Sequence, residues 1–180
     1  MIRSAFLKAT AAMLGSSALP VSAVSTLAIG APVEITLPSL SGGTISTRDF
    51  RGYCLWINFF ASWCDGCIVE QPTVREIARG YRGAGLRILG IDTLEAPARV
   101  RQYVAAFKLD YSIALDRKGD VSARLARDPE GGAIALPTSL FLDRAGILRH
   151  RASGTVDAKW LRRMLPPMLA RPTARIAPTS

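Results

Sequence analysis

Residues 54–60, CLWINFF, form a nearly unbroken apolar run, rich in aromatic and β-branched side chains, and a cysteine follows at Cys64. A strand with one wet face would carry a polar residue at every second position. This run does not, so it reads as a strand buried on both faces, which requires a sheet covered on both sides. The chain that follows can supply the cover. A helix is expected from about Cys64 to Tyr81, kinked at Pro72. Leu86–Ile91 reads as a second buried strand, and Pro97 opens a helix with Val100, Val104 and Phe107 on its apolar face. Tyr111–Leu115 is a short strand and Asp120–Ala126 a short helix. Ser139–Asp143 and Ile147–Arg151 are strands joined as a hairpin through Arg144-Ala145-Gly146. A last helix starts near Asp157, carries Trp160, Leu161, Met164 and Leu165, and is expected to be disrupted or ended by Pro166-Pro167. Upstream, Val33–Leu37 and Thr44–Ser46 flank Ser41-Gly42-Gly43 as a second hairpin. This order calls for parallel crossovers among the first strands, an antiparallel pair at the end, and helices on both faces: an α/β fold on a central mixed sheet.

The N-terminus constrains where the protein acts. Arg3 and Lys8 precede a run, residues 9–33, that carries no charge, and Val21-Ser22-Ala23 offers small residues for cleavage after Ala23. Residues 1–23 therefore read as a signal peptide or signal anchor, 24–31 as a linker, 32–170 as one domain and 171–180 as a mobile tail. A buried N-terminal helix is the competing reading, and Pro20 with its Ser- and Gly-rich surroundings speaks against it. The domain is expected in the periplasm, soluble after cleavage or held to the inner membrane by residues 9–31. The formal charge of +9 falls to +7 without Arg3 and Lys8. The arginines are scattered and no aromatic-interleaved basic stripe or nucleic-acid motif accompanies them, so a solvated basic surface is expected, with no nucleic-acid partner. Membrane contact is expected only through an uncleaved anchor.

Chemistry concentrates at Trp63-Cys64-Asp65-Gly66-Cys67, between the first buried strand and its helix. There the unpaired N–H groups and dipole of the helix favour a thiolate at Cys64. Cys67 lies one turn on, near enough to close a disulfide or resolve a mixed one. A structural zinc site would need four ligands, and besides this pair the only other cysteine is Cys54, at the start of a strand, and the only histidine is His150, so all four would have to converge. A purely structural disulfide would close too small a loop to stabilise much. No metal and no cofactor is expected. Cys54 is expected to be a buried, inert thiol. Pro137, before the strand that begins at Ser139, would form a fixed wall beside the dithiol if its peptide bond with Leu136 were cis.

These segments together resemble the thioredoxin superfamily, and within it the TlpA-like and ResA-like exported thiol–disulfide oxidoreductases. APVEITLPSLSGGTISTRDFRG is similar to the family's N-terminal hairpin, INFFASWCDGC to its VNFWASWCxxC stretch, CIVEQP to CxxExP, and LPTSLFLDRAG to its cis-proline segment and closing hairpin. The helix and strand around 97–115 look like the αβ unit this family inserts. The resemblance implies a thioredoxin-like fold, with Cys64 as attacking thiol, Cys67 as resolving thiol and Pro137 as the cis-proline. It implies that Leu136 offers backbone hydrogen bonds to an extended substrate, that Trp63 flanks the site and that Glu70 moves protons near the dithiol. The alternative for Glu70 is a solvated surface carboxylate.

The sequence departs from the family in carrying Asp65-Gly66 where most members have a proline between the cysteines. A negative charge beside the thiolate should disfavour it, which points to a reductant rather than a strong oxidant. Asn58 stands where thioredoxin has a buried aspartate, leaving Glu70 as the carboxylate for proton handling. The expected activity is reduction of disulfides in periplasmic partner proteins, such as apocytochrome c or copper-site cysteines, with electrons from a membrane thiol carrier. The alternatives are a disulfide oxidase or isomerase and a non-enzymatic Cu(I) or haem-assembly chaperone. A peroxidase would need a Thr-x-x-Cys site, which Ala61-Ser62-Trp63-Cys64 fits poorly.

Overall fold

The computed structural model describes residues 27–128 and 132–170. Strand β3, Cys54–Phe60, is buried at all seven positions. It lies at the centre of a five-stranded sheet between β4, Leu86–Thr93, and β6, Thr138–Leu142, with β5, Ser112–Asp116, and β7, Leu148–Ser153, at the edges. The β3/β4 and β4/β5 pairs are parallel, and β3/β6 and β6/β7 are antiparallel. The parallel crossovers run through α1, Asp65–Tyr81, and α2, Pro97–Phe107. A short helix α3, Asp120–Leu125, follows β5, and α4, Ala158–Leu169, follows β7. The hairpin of β1, Thr36–Pro38, and β2, Thr44–Ser46, stands apart as a two-stranded sheet. A 3-10 turn over Thr47–Phe50, closed by a Ser46/Asp49 capping box, links it to β3. This is the thioredoxin-like architecture that the sequence leads one to expect.

The period-two rule splits β3 between two cores. Trp56 packs with Ile88, Phe141, Val74, Ile77, Leu161 and Leu165, the last four from α1 and α4. On the opposite face, Leu55, Ile57 and Phe59 pack with Leu89, Ile91 and Leu140, under Val33 and Ile35 and against Leu125 of α3. Each large side chain so buried contributes roughly 1.5–3 kcal/mol, which is why one strand can organise the whole domain. A third cluster closes the C-terminal end of β3: Phe60, Ala61, Cys64 and Cys67 with Val100 and Tyr103 of α2 and Ile113 and Leu115 of β5.

Several boundaries differ from the sequence reading by a residue or two, and three differences bear on the packing or the site. Strand β1 begins at Thr36 because the residues before it spend their backbone elsewhere. The Val33 N–H donates to the Gly146 carbonyl (3.1 Å) and the Ile35 N–H to Thr47 Oγ1 (3.1 Å). Strand β4 runs to Thr93, which places Asp92 inside the sheet. Helix α4 is not ended by Pro166-Pro167 and continues to Leu169. The two missing donors leave the carbonyls of Arg162 and Arg163 without intrahelical partners, and both residues are exposed, so water can serve them. Leu165, Met168 and Leu169 stay buried on the other face and hold the last turn down.

Of the expected linker, residues 28–31 form a turn tied to β7 by Gly30 N–H to the Leu148 carbonyl, 2.8 Å. The expected signal segment, 1–23, and tail, 171–180, lie outside the described residues. Among the described residues, no helix is long and apolar enough to cross a membrane.

Candidate active site

Strand β3 delivers the chain to a tight turn, Ala61-Ser62-Trp63, and α1 starts immediately after it. Cys64 is the N-cap of α1: its backbone is extended (φ −91°, ψ 109°) and its Sγ accepts from the Cys67 N–H at 3.1 Å. One of the orphan donors of the helix end is thus aimed at this sulfur. Cys64 and Cys67 form a disulfide, with Cα atoms 5.2 Å apart. The two sulfurs are not equivalent. Cys67 is fully buried at 0 % exposure, whereas Cys64 retains 8 %. An incoming group can reach only the first.

The wall beside the disulfide is Pro137, joined to Leu136 by a cis peptide bond as the sequence reading expects. Gly66 lies so close to it that an added Cβ would sit 3.1 Å from Pro137 Cδ and 3.6 Å from Thr155 Cγ2. The glycine that weakens the first turn of α1 is therefore also what lets the helix approach the proline loop. Leu136 is half-buried, and Trp63 is 59 % exposed, with Ile68 and Val69 also exposed on the first turn of α1. Exposed apolar side chains thus flank the cysteine pair in the chain.

Glu70 is not the solvated carboxylate offered as its alternative reading; it is 2 % exposed. Its Oε1 accepts from the Val156 N–H (3.0 Å) and its Oε2 from Asn58 Nδ2 (3.2 Å), so α1, β3 and the β7–α4 segment meet on it. Burial pushes its carboxyl up to about 7, and these two donors only partly oppose that. Asn58 thus has a place in the site. Cys54 is buried at the start of β3, with its thiol pushed up by burial and its Sγ–H donating to the Met168 carbonyl at 3.6 Å.

The structure adds a set of residues the sequence reading does not single out. Glu95, after β4, accepts from the Ser62 N–H (2.6 Å) and from Ser62 Oγ (2.5 Å). Arg99 Nε donates to the same Ser62 Oγ at 3.0 Å and lies 4.0 Å from Glu95 Oε1. Asp92, one strand over from Phe60, is completely buried. A signal for these residues existed: two carboxylates, at 92 and 95, close a strand that must neighbour the cysteine-bearing one in a parallel sheet. Sites in such sheets gather at the carboxyl ends of the strands.

The sequence profile of the AhpC/TSA family matches residues 29–151. The chain belongs to the AhpC/TSA family. Within reach of this AhpC/TSA protein are relatives named thiol–disulfide oxidoreductase ResA. That of Bacillus thuringiensis subsp. konkukian is 29% identical over 121 residues, covering 67% of this chain and 66% of the relative. The chain therefore spans just under two thirds of that relative's length. A thiol:disulfide interchange protein DsbE from Pseudomonas fluorescens is 29% identical over 132 residues, 72% of this chain and 68% of the relative. A secreted thiol–disulfide isomerase from Corynebacterium glutamicum shares the fold with TM-score 0.70 at 23% identity, over 78% of this chain and 86% of its own. A thiol:disulfide interchange protein from Chlorobium tepidum does so with TM-score 0.67 at 22% identity, over 78% and 96%. The ResA-like resemblance drawn from the motifs thus meets a distant homology that extends over about two thirds of the chain.

Proposed function

We propose that this chain is a thiol–disulfide oxidoreductase that reduces disulfides in extracytoplasmic partner proteins. The observation that carries the reading is the Cys64–Cys67 disulfide at the N-terminus of α1, one sulfur at the surface and the other sealed beneath it. In the reduced protein the Cys64 thiolate, favoured by the helix end, attacks one sulfur of a substrate disulfide. A mixed disulfide forms and the other substrate sulfur leaves as thiolate. Cys67 then gives up its proton and attacks Cys64 Sγ, and the second substrate sulfur leaves. The substrate gains two electrons, the protein loses them, and a thiol carrier must return them. Trp63, Leu136 and Pro137 are assigned to hold the substrate segment, with the Leu136 backbone pairing to it as a strand edge would.

Glu70 is assigned to take the Cys67 proton, since it lies one helical turn on and is buried like Cys67. A base with its carboxyl near 7 is mostly protonated below that pH. The resolving step is therefore expected to quicken by about tenfold per pH unit on the acid side and to level off above about 7. Glu70→Gln should abolish that dependence in single-turnover kinetics. An unchanged profile would remove Glu70 from the mechanism.

The reductive direction follows from the charges at the turn. Asp65 stands in the first turn of α1, and Glu95 reaches Ser62 two residues before Cys64. Carboxylates near Cys64 disfavour its thiolate, and strong oxidants depend on stabilising that thiolate. The extracytoplasmic setting rests on residues 1–23 and on an accessible disulfide, which persists outside the cytosol. In that setting the periplasm is the compartment, apocytochrome c or copper-site cysteines are suitable substrates, and a membrane thiol-reducing carrier is the electron source. The deciding measurement is the reduction potential of Cys64–Cys67 in equilibrium with dithiothreitol. A value of roughly −270 mV or lower is expected; one near roughly −120 mV would make the protein a disulfide donor instead.

A further inference from the structure

Buried polar groups normally find partners, and those behind the dithiol do not. Neither carboxylate oxygen of Asp92 has a hydrogen-bonding partner, nor do Asn58 Oδ1, Gln71 Nε2 and the Tyr103 hydroxyl. The register places Asp92 beside Phe60, the residue that leads into the turn carrying Cys64, and on the face that α1 and α2 cover. Its side chain is fully enclosed. An ionised carboxylate with no donor in such a place is very costly, so the group is expected to carry a proton.

The side chain within hydrogen-bonding reach of that proton is Glu95. Both of its oxygens already act as acceptors, from the Ser62 N–H and Oγ–H. Of the two carboxyl groups, Glu95 is therefore committed to accepting and Asp92 is free to donate. The turn between them is held in an unusual shape: Leu94 sits at φ +65°, in the left-handed region, and donates its N–H to the Asp116 carbonyl at 3.1 Å. A leucine tolerates that conformation only where its surroundings impose it. Here they aim Glu95 inward.

We propose that Asp92 is a positioning residue for Cys64: protonated, it donates to Glu95 and so locks Glu95 onto Ser62, fixing the turn from which Cys64 projects. Loss of the Asp92 proton places two negative carboxylates against each other and loosens the Ser62 anchor. Burial, followed by the contact and charge of Glu95 and the charge of Asp116, pushes the Asp92 carboxyl up to about 8. The Glu95 N–H, too poorly placed to make a hydrogen bond, opposes this only in part. The other ionisable groups about this pocket are Asp116 on β5, Arg99 and Tyr103 on α2, Glu70 on α1, and the two cysteines when reduced. Arg99 lies on the Ser62 side of Glu95 and would soften, but not cancel, the repulsion.

The inference deepens the proposed reading of Cys64 as the attacking thiol and rests on it, but its test does not need redox activity. The full chain is labelled with 15N and kept oxidised, so that neither Cys64 nor Cys67 titrates, and the Ser62 amide resonance is followed from pH 5 to 9.5. The amide should move with a midpoint near 8 in the wild type. It should be flat in Asp92→Asn, whose amide still donates to Glu95 but cannot ionise, and unchanged from wild type in Glu70→Gln. A wild-type Ser62 amide that does not move above pH 6, or one that moves equally in Asp92→Asn, overturns the proposal. In the reduced protein, alkylation of Cys64 should show a second inflection near 8 that Asp92→Asn lacks. If the Ser62 titration appears but the inflection does not, the lock exists without setting Cys64 and the positioning role is wrong. A potential near that of strong oxidants would count against the reductive reading alone.

Discussion

Cys64→Ser is expected to slow disulfide exchange by roughly a thousand-fold or more, because a serine hydroxyl at neutral pH supplies no comparable nucleophile. Cys67→Ala should behave differently. Cys64 would still attack, so the first thiolate is released at a rate close to the wild type, but nothing remains to resolve the adduct. The variant should accumulate as a covalent mixed disulfide, visible by mass and cleaved by added dithiothreitol. The asymmetry comes from burial: Cys67 is on the buried side of α1, in one cluster with Val100 and Tyr103 of α2, while Cys64 keeps an opening at the helix end. An aromatic disulfide that releases a coloured thiolate separates the two steps, one equivalent from Cys67→Ala and two from the wild type. If Cys67→Ala and Cys64→Ser were equally inert, the assigned order of attack would fail, and if Cys67 formed the adduct it would be reversed. Cys54 is the internal control. Its thiol is buried at the far end of β3 and pushed up by burial, so Cys54→Ala should leave both steps in place.

The fold was legible because its organising element is legible. An apolar run at 54–60 without alternation has few physical readings, and a cysteine pair at the following helix end narrows them further. The turn residues and the Pro97 start of α2 carry their own local chemistry. What sequence reasoning got wrong at Pro166-Pro167 is a case where tertiary contact overrides propensity: the exposed face of α4 bears the missing hydrogen bonds while the buried face keeps Leu165, Met168 and Leu169 in place. The site was legible in its covalent chemistry and opaque in its electrostatics. Spacing predicts that Cys64 and Cys67 meet, and the motif places Pro137 near them. Nothing in the spacing of residue 70 tells that its carboxylate is buried, because α1 exposes Ile68 and Val69 while enclosing Glu70 and Gln71. Asp92 and Glu95 were harder still. Their importance comes from the parallel register of β4 on β3 and from a left-handed Leu94, and both are products of the assembled fold.

Asp92→Asn is expected to raise stability at neutral and mildly alkaline pH, although it alters a fully buried position. Two buried carboxyls, Asp92 near 8 and Glu70 near 7, hold protons in the folded chain that the unfolded chain has lost, since their ordinary values are 3.8 and 4.5. The sign follows directly. Across the window from about 4 to 8 the native state binds more protons than the unfolded state, so stability falls as pH rises through it. Below the ordinary values both states are protonated and the penalty is absent; above the native values it is at its full size. At pH 7 the shift at Asp92 corresponds to a ceiling of about 4 kcal/mol, which relaxation around the group lowers. Asparagine carries no such penalty, keeps the volume and still donates to Glu95. Its advantage should therefore vanish below about pH 3, grow by at most about 1.4 kcal/mol per pH unit above about pH 4, and level off near 8. Urea unfolding of the oxidised wild type, Asp92→Asn and Glu70→Gln between pH 4 and 9 provides the comparison. Each variant should flatten part of the wild-type slope, Glu70→Gln on the acid side and Asp92→Asn further toward alkaline pH. A wild-type stability that does not fall between pH 5 and 8, or an Asp92→Asn chain less stable by the same amount at every pH, would show that these carboxyls are not protonated in the folded state. It would leave the unpartnered oxygens of Asp92 to be satisfied by water.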